Sequence, residues 1–193
     1  MIVLIKKQLT PPFTKLAPEL TIGLYHKFSH QDGVDIPLSC IPNVHYHFHL
    51  KSFTVQFFAL RDIKTGEQIF HSYCRANKTL EERKAKLALH GFECNCRVCA
   101  NATPESDRLR KNFETQITNF KTLALKKPLR GILEQALKLE KDMIKEGLDI
   151  ILNFGSLLIF ISWVYAKLGN MEESERYQRL GSEIKNCYLK NQE

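Results

Sequence analysis

Gly91-Phe92-Glu93-Cys94-Asn95-Cys96-Arg97-Val98-Cys99 is the stretch that decides how this chain is read. Three thiols fall in a Cys-x-Cys-x-x-Cys spacing, too tight for mutual disulfides without strain but well suited to surround one soft tetrahedral cation. Zinc is the natural choice, and four-coordination demands one further ligand from elsewhere in the chain. Cys40, Cys74, Cys187, His71 and His90 are the candidates. A distant ligand would staple the loop onto the sheet, and such a site typically contributes about 10–16 kcal/mol of apparent binding free energy to folding. The zinc is therefore expected to be structural. A deaminase-type catalytic zinc needs a His-x-Glu partner motif, which this sequence lacks.

Immediately upstream, Thr79-Leu80-Glu81-Glu82 reads as a capping box. It opens a helix through Leu87 and Leu89 that Gly91 closes as a left-handed cap, delivering the chain to the cysteines. Further back the signals are strand. Val44–Phe48 and Phe53–Leu60 are rich in aromatic and β-branched residues, and Ile69–Tyr73 follows the Lys64-Thr65-Gly66 turn, so three strands are expected to form a small sheet. His45, His47 and His49 alternate and point to one face of a strand. With no carboxylate at matching spacing, and Tyr46, Phe48 and Leu50 opposite, they read as a half-exposed strand and not as a metal site.

Downstream of Cys99 the periodicity changes. Thr103 as N-cap, Pro104 at the first helical position and Glu105 behind it start an all-helical region, continued by 128–147. Positions 150–166 carry no charge and reach the lower edge of the length that crosses a bilayer. Asn153, Gly155, Ser156 and Ser162 interrupt that run, while Ile150, Phe154, Leu157, Ile161, Val164 and Leu168 make one helical seam. Glu173, Tyr177, Leu180, Ile184 and Cys187 repeat the period after a Gly169-Asn170 turn, so a buried helical hairpin is predicted and no membrane span. Trp163, Leu168-Gly169 and Tyr177 resemble a tetratricopeptide unit, but one helix pair is not an array, and packing support is the expected role.

Length and composition bound the function. The 193 residues amount to one medium domain or two small ones, and 44% hydrophobic with 25% charged residues permits a real core. The net charge is +7, but no Lys/Arg run exceeds two residues, so direct nucleic-acid binding is not expected. Met1–Ile5 is a short apolar start running into Lys6-Lys7, with the charges on the wrong side for a signal peptide. Unpaired cysteines in a reducing, intracellular compartment follow, the nucleus, the cytoplasm or both.

Four ordered blocks also carry a family resemblance: Ser39-Cys40-Ile41-Pro42-Asn43; Leu60–Tyr73; Glu82-Arg83; and Gly91–Cys99. Together they resemble the C-terminal SET and post-SET portion of protein-lysine methyltransferases, in particular the SET-and-MYND branch and its fungal SET-domain cousins. The resemblance implies an α+β chain with a small partial SET sheet and a post-SET zinc loop over 1–100, then a helical C-terminal region over 101–193. It implies S-adenosylmethionine as methyl donor and a protein substrate or partner; a monomer is expected.

By the same resemblance Tyr73 matches the active-site tyrosine, able to hydrogen-bond near the amine or methyl and orient the nucleophile. Phe92 matches the aromatic residue beside the donor's adenine, and Cys40 the cysteine that joins Cys94, Cys96 and Cys99 on zinc. Departures are equally specific. The family reads Asn-His before Ser-Cys, where this chain has Pro37 and Leu38, which offer neither polar side chain. No Gly-x-Gly donor cradle occurs, so the first half of a SET domain is expected to be missing. Gly23–Ser29 resembles the lead into the family motif, and residues 30–38 intervene with unfamiliar character, as a retained intron or misplaced splice junction would. The alternative to a truncated or degenerate methyltransferase is a non-catalytic, zinc-stabilised protein-interaction module.

Overall fold

The computed structural model describes residues 2–5, 24–25, 38–49 and 54–189. Residues 30–37, read above as an insertion, lie outside the described residues. The chain divides into two compact units, Met1–Tyr73 and Cys74–Glu193.

Among the described residues the first unit has four strands: β1 Ile2–Ile5, β2 Leu24–Tyr25, β3 Val44–His49 and β4 Thr54–Ala59. Their order is β2-β1-β4-β3, with β3 antiparallel to β4, β1 parallel to β4 and β2 antiparallel to β1. The β3–β4 register pairs Val44 with Ala59 and Tyr46 with Phe57, as expected for two runs of aromatic and β-branched residues. Val44, Phe57 and Phe58 are buried. Tyr46, assigned by alternation to the apolar face, is 43% exposed, although its ring meets Phe57 at 6.2 Å and His71 at 5.7 Å.

Ile69–Tyr73 is not a strand. Among the described residues a single parallel bridge, Leu38 with His71, is ladder-like, and the buried side chain of Asn43 adds to the backbone bonds that hold the segment. Asn43, 1% exposed, accepts the Phe70 N–H through Oδ1 at 2.7 Å and donates through Nδ2 to the Gln68 carbonyl at 2.8 Å. The Asn43 and Val44 amides both donate to the Phe70 carbonyl, and the Ser39 amide to that of His71. An amide side chain thus replaces the neighbouring strand that a ladder would need. The preceding turn is as read: Gly66 sits at φ 81, and Glu67 N–H donates to the Lys64 carbonyl at 3.0 Å.

The second unit is helical: α1 Leu80–Ala88, α2 Arg97–Ala100, α3 Pro104–Leu123, α4 Leu129–Lys145, α5 Leu152–Lys167 and α6 Met171–Leu189. Local signals read from the sequence are met. Thr79 and Glu82 form the capping box of α1, Thr103 caps α3 with Pro104 behind it, and Gly91 takes φ 66 after α1.

One core joins α3 to α6, through Phe113, Ile117, Phe120, Ile132, Leu139, Met143, Leu157, Ile161 and Tyr177 among others. Arg110 is buried in it, its guanidinium donating to the Ala76 and Glu146 carbonyls at 3.0 and 2.8 Å beside the Glu146 carboxylate.

Helices α5 and α6 form the expected hairpin about Gly169, at φ 82. Phe154, Leu157, Ile161 and Val164 are buried as the seam requires, and so are Leu158 and Phe160. The uncharged run therefore reflects a helix enclosed on more than one side. Leu168, assigned to the seam, is 38% exposed because the helix ends at Lys167 and Leu168 is its C-cap. Of the polar interruptions, Ser162 is buried, and its Oγ donates to the Ser174 carbonyl at 2.7 Å. The two helices also come into backbone contact. A Cβ on Gly181 would lie 2.8 Å from the Gly155 carbonyl oxygen, and one on Gly155 would lie 3.0 Å from that of Gly181. Among the described residues no helix is long and apolar enough to cross a membrane.

Candidate metal centre and active-site residues

Local geometry gathers the three late cysteines. Cys96 is the N-cap of α2, in extended conformation, and Cys99 follows three residues later, so the short helix turns both thiols to one side. Cys94 enters from the extended residues just before. Their Sγ atoms all lie within 4.8 Å of one another, and Cys94 and Cys99 are buried. A tetrahedral zinc with Zn–S bonds of about 2.3 Å requires sulfurs roughly 3.8 Å apart, so this donor set fits the ion with little adjustment. The loop is braced from the helices: Cys99 and Ala100 amides donate to the Cys96 carbonyl at 2.9 Å, and Arg97 Nη1 donates to the Lys145 carbonyl at 3.1 Å.

A buried guanidinium stands at the thiols. Arg83, 1% exposed, points from α1 with Nη1 donating to the Lys78 carbonyl at 2.8 Å and Nη2 to Cys99 Sγ at 3.8 Å. Its own carbonyl accepts from Cys74 Sγ, also at 3.8 Å. Burial pushes the Cys74 thiol above its ordinary value, against the opposing charge of Arg83. The Glu82-Arg83 pair is marked in the sequence only as part of the resemblance; the spacing of an arginine on a charged helix does not by itself tell a buried guanidinium from a solvated one.

In the first unit Cys40 is buried, beside Ser39, whose Oγ accepts the Ile41 amide at 3.0 Å. Tyr73 is 37% exposed, its ring edge-on to buried His71 at 4.7 Å. Phe92, in the second unit, is half-buried, and its amide donates to the Leu87 carbonyl at 3.2 Å. Leu38 bridges to His71 and has no polar side-chain atom. Of the other candidate fourth ligands, His90 is exposed on the loop after α1, and Cys187 is half-buried on α6. Asn43 is marked in the sequence only as the end of the Ser39–Asn43 block, and its hydrogen bonds to the segment around Phe70 are not foreseen there.

Residues 25–74 match the SET domain model, and the chain is similar in sequence to proteins named histone-lysine N-methyltransferases. It is 35% identical over 77 residues to the histone-lysine N-methyltransferase SET5 of Meyerozyma guilliermondii, covering 38% of this chain and 16% of that protein. Against the histone-lysine N-methyltransferase set5 of Schizosaccharomyces pombe it is 25% identical over 169 residues, 76% of this chain and 53% of that protein. A SET and MYND domain-containing protein of Dictyostelium discoideum is 36% identical over 90 residues, 46% of this chain and 24% of that protein. The chain thus spans about half or less of the length of these relatives.

Proposed function

We propose that this chain carries the SET and post-SET portion of a protein-lysine methyltransferase, over residues 1–100, with a structural zinc and a degenerate methyl-donor edge. Cys40, Cys94, Cys96 and Cys99 hold the zinc, Tyr73 stands at the acceptor amine, Phe92 flanks the donor site, and residues 101–193 are helical support. The observation that carries the reading is the thiol cluster of the second unit: the sulfurs of Cys94, Cys96 and Cys99 all lie within 4.8 Å of one another, and Cys40 is the proposed fourth ligand. Four cysteine thiolates are a closed donor set, with no position left for a reacting water, which suits a structural ion.

Tyr73 supplies a phenol that can accept or donate a hydrogen bond, and its partial exposure leaves it accessible to an incoming amine. The relatives' names point to a histone as the protein substrate. A second reading, a zinc-stabilised interaction module without methyl transfer, is favoured by Leu38, which withholds a polar contact from the donor.

Two measurements on the full chain separate the possibilities. Elemental analysis of purified protein should find zinc, and Cys40→Ser should lower its content; a metal-free chain would remove the proposal. Titration calorimetry with S-adenosylmethionine then divides the readings, micromolar binding supporting the enzyme and millimolar or no binding the module.

A further inference from the structure

Four thiolates around a divalent cation leave a net charge of −2, and a charge of that size away from water is costly unless a cation compensates it. Arg83 has the burial, direction and donor to do so. Its place is set by sequence: the capping box fixes the start of α1, so Arg83 and Leu87, four residues apart, turn to one buried face. The Lys78 carbonyl then anchors one arm of the guanidinium at 2.8 Å, leaving the other on Cys99 Sγ at 3.8 Å.

We infer that Arg83 is a positioning residue of the metal centre, the anchored cation that donates to Cys99 Sγ and sets how tightly the centre retains its ion. This rests on the zinc reading above and extends it from the ligands to the group that supports them. The guanidinium suits the task because its charge is spread over a planar fork: one arm is anchored while another reaches sulfur, which a lysine ammonium cannot reproduce from the same backbone position. Hydrogen bonds from outer groups to metal ligands change affinity by roughly 10- to 100-fold when removed.

The test uses the full chain, zinc and cobalt(II). Competition with a chromophoric chelator should show zinc held about 10- to 100-fold more weakly by Arg83→Met than by the wild-type chain. Lys84→Met, which removes a charge from an exposed position of the same helix, should match wild type. Cobalt(II) supplies the readout that a merely structural role would not move. Loss of the N–H donor raises the energy of the sulfur lone pairs, so the thiolate-to-cobalt absorption should move to longer wavelength in Arg83→Met.

Should Arg83→Met fail to fold, Arg83→Lys keeps the charge and loses the fork, and the same absorption shift is expected. Equal affinity and an unshifted band in the Arg83 variants, or an equal loss in Lys84→Met, would overturn the inference while leaving the thiol centre intact. A wild-type chain that binds neither metal would sink both.

Discussion

Asn43 Oδ1 accepts the Phe70 amide at 2.7 Å, and this bond closes an irregular segment against the end of β3 where a strand pair was expected. With the Gln68 carbonyl and a Glu67 carboxylate oxygen also on Nδ2, one side chain serves backbone groups that no ladder reaches. Asn43→Ala should therefore cost about 1–3 kcal/mol for the groups left unsatisfied, read by urea unfolding. Asn43→Asp should also destabilise, since a carboxylate cannot donate to the Gln68 carbonyl.

The glycines of the hairpin make opposite predictions to a glycine elsewhere. Gly181→Ala places a methyl 2.8 Å from a backbone oxygen and 2.8 Å from Ile159 Cγ1, and should destabilise by about 1–3 kcal/mol. Gly131 in α4 has nothing within 4 Å of an added Cβ, so Gly131→Ala should stabilise by about 0.5–1 kcal/mol. Thermal melts of the two variants should move in opposite directions.

Glu82 gives the pH prediction. Hydrogen bonds from Lys111, the Thr79 amide and Lys78 lower its carboxyl from the ordinary 4.5 to about 2. A depressed acid stabilises the fold fully above its unfolded value and loses that contribution as pH falls through the folded one. The wild-type chain should therefore lose stability relative to Glu82→Gln between about pH 4.5 and pH 2, with the difference constant at neutral pH. Parallel curves through that window would refute the assignment.

Removing a thiol ligand should be distinguishable from removing a bystander. Cys96→Ser should shed zinc and lower the melting temperature of the metal-loaded chain, whereas Cys187→Ser, on α6, should keep its zinc. Chelation of the wild-type chain should reproduce the Cys96→Ser melt.

Features written within a few residues were legible in advance. The Thr79–Glu82 box, the Thr103-Pro104 start, the thiol spacing and the hairpin about Gly169 each depend on side chains that meet their partners along the chain or in a repeating helical period. What escaped depends on distance in sequence. Ile69–Tyr73 has a strand's composition, yet its partner is an asparagine side chain 27 residues earlier. Arg83 stands in the Glu82-Arg83 block of the resemblance, but its place at the thiols depends on Cys99, 16 residues on, which returns to it. Leu168 continues the seam's period, but the helix stops one residue short of it. Periodicity reports which face an element turns inward, and it is silent on polar groups paired across loops.

The contact between Gly155 and Gly181 bears on how force would travel through the helical unit. Elsewhere, paired helices are separated by side chains that can change rotamer and let one rod slide past the other. Where main chain rests on main chain there is no such bearing, and α5 and α6 must tilt together. A molecule that grips the exposed edge of Trp163 on α5 would therefore carry α6 along with it.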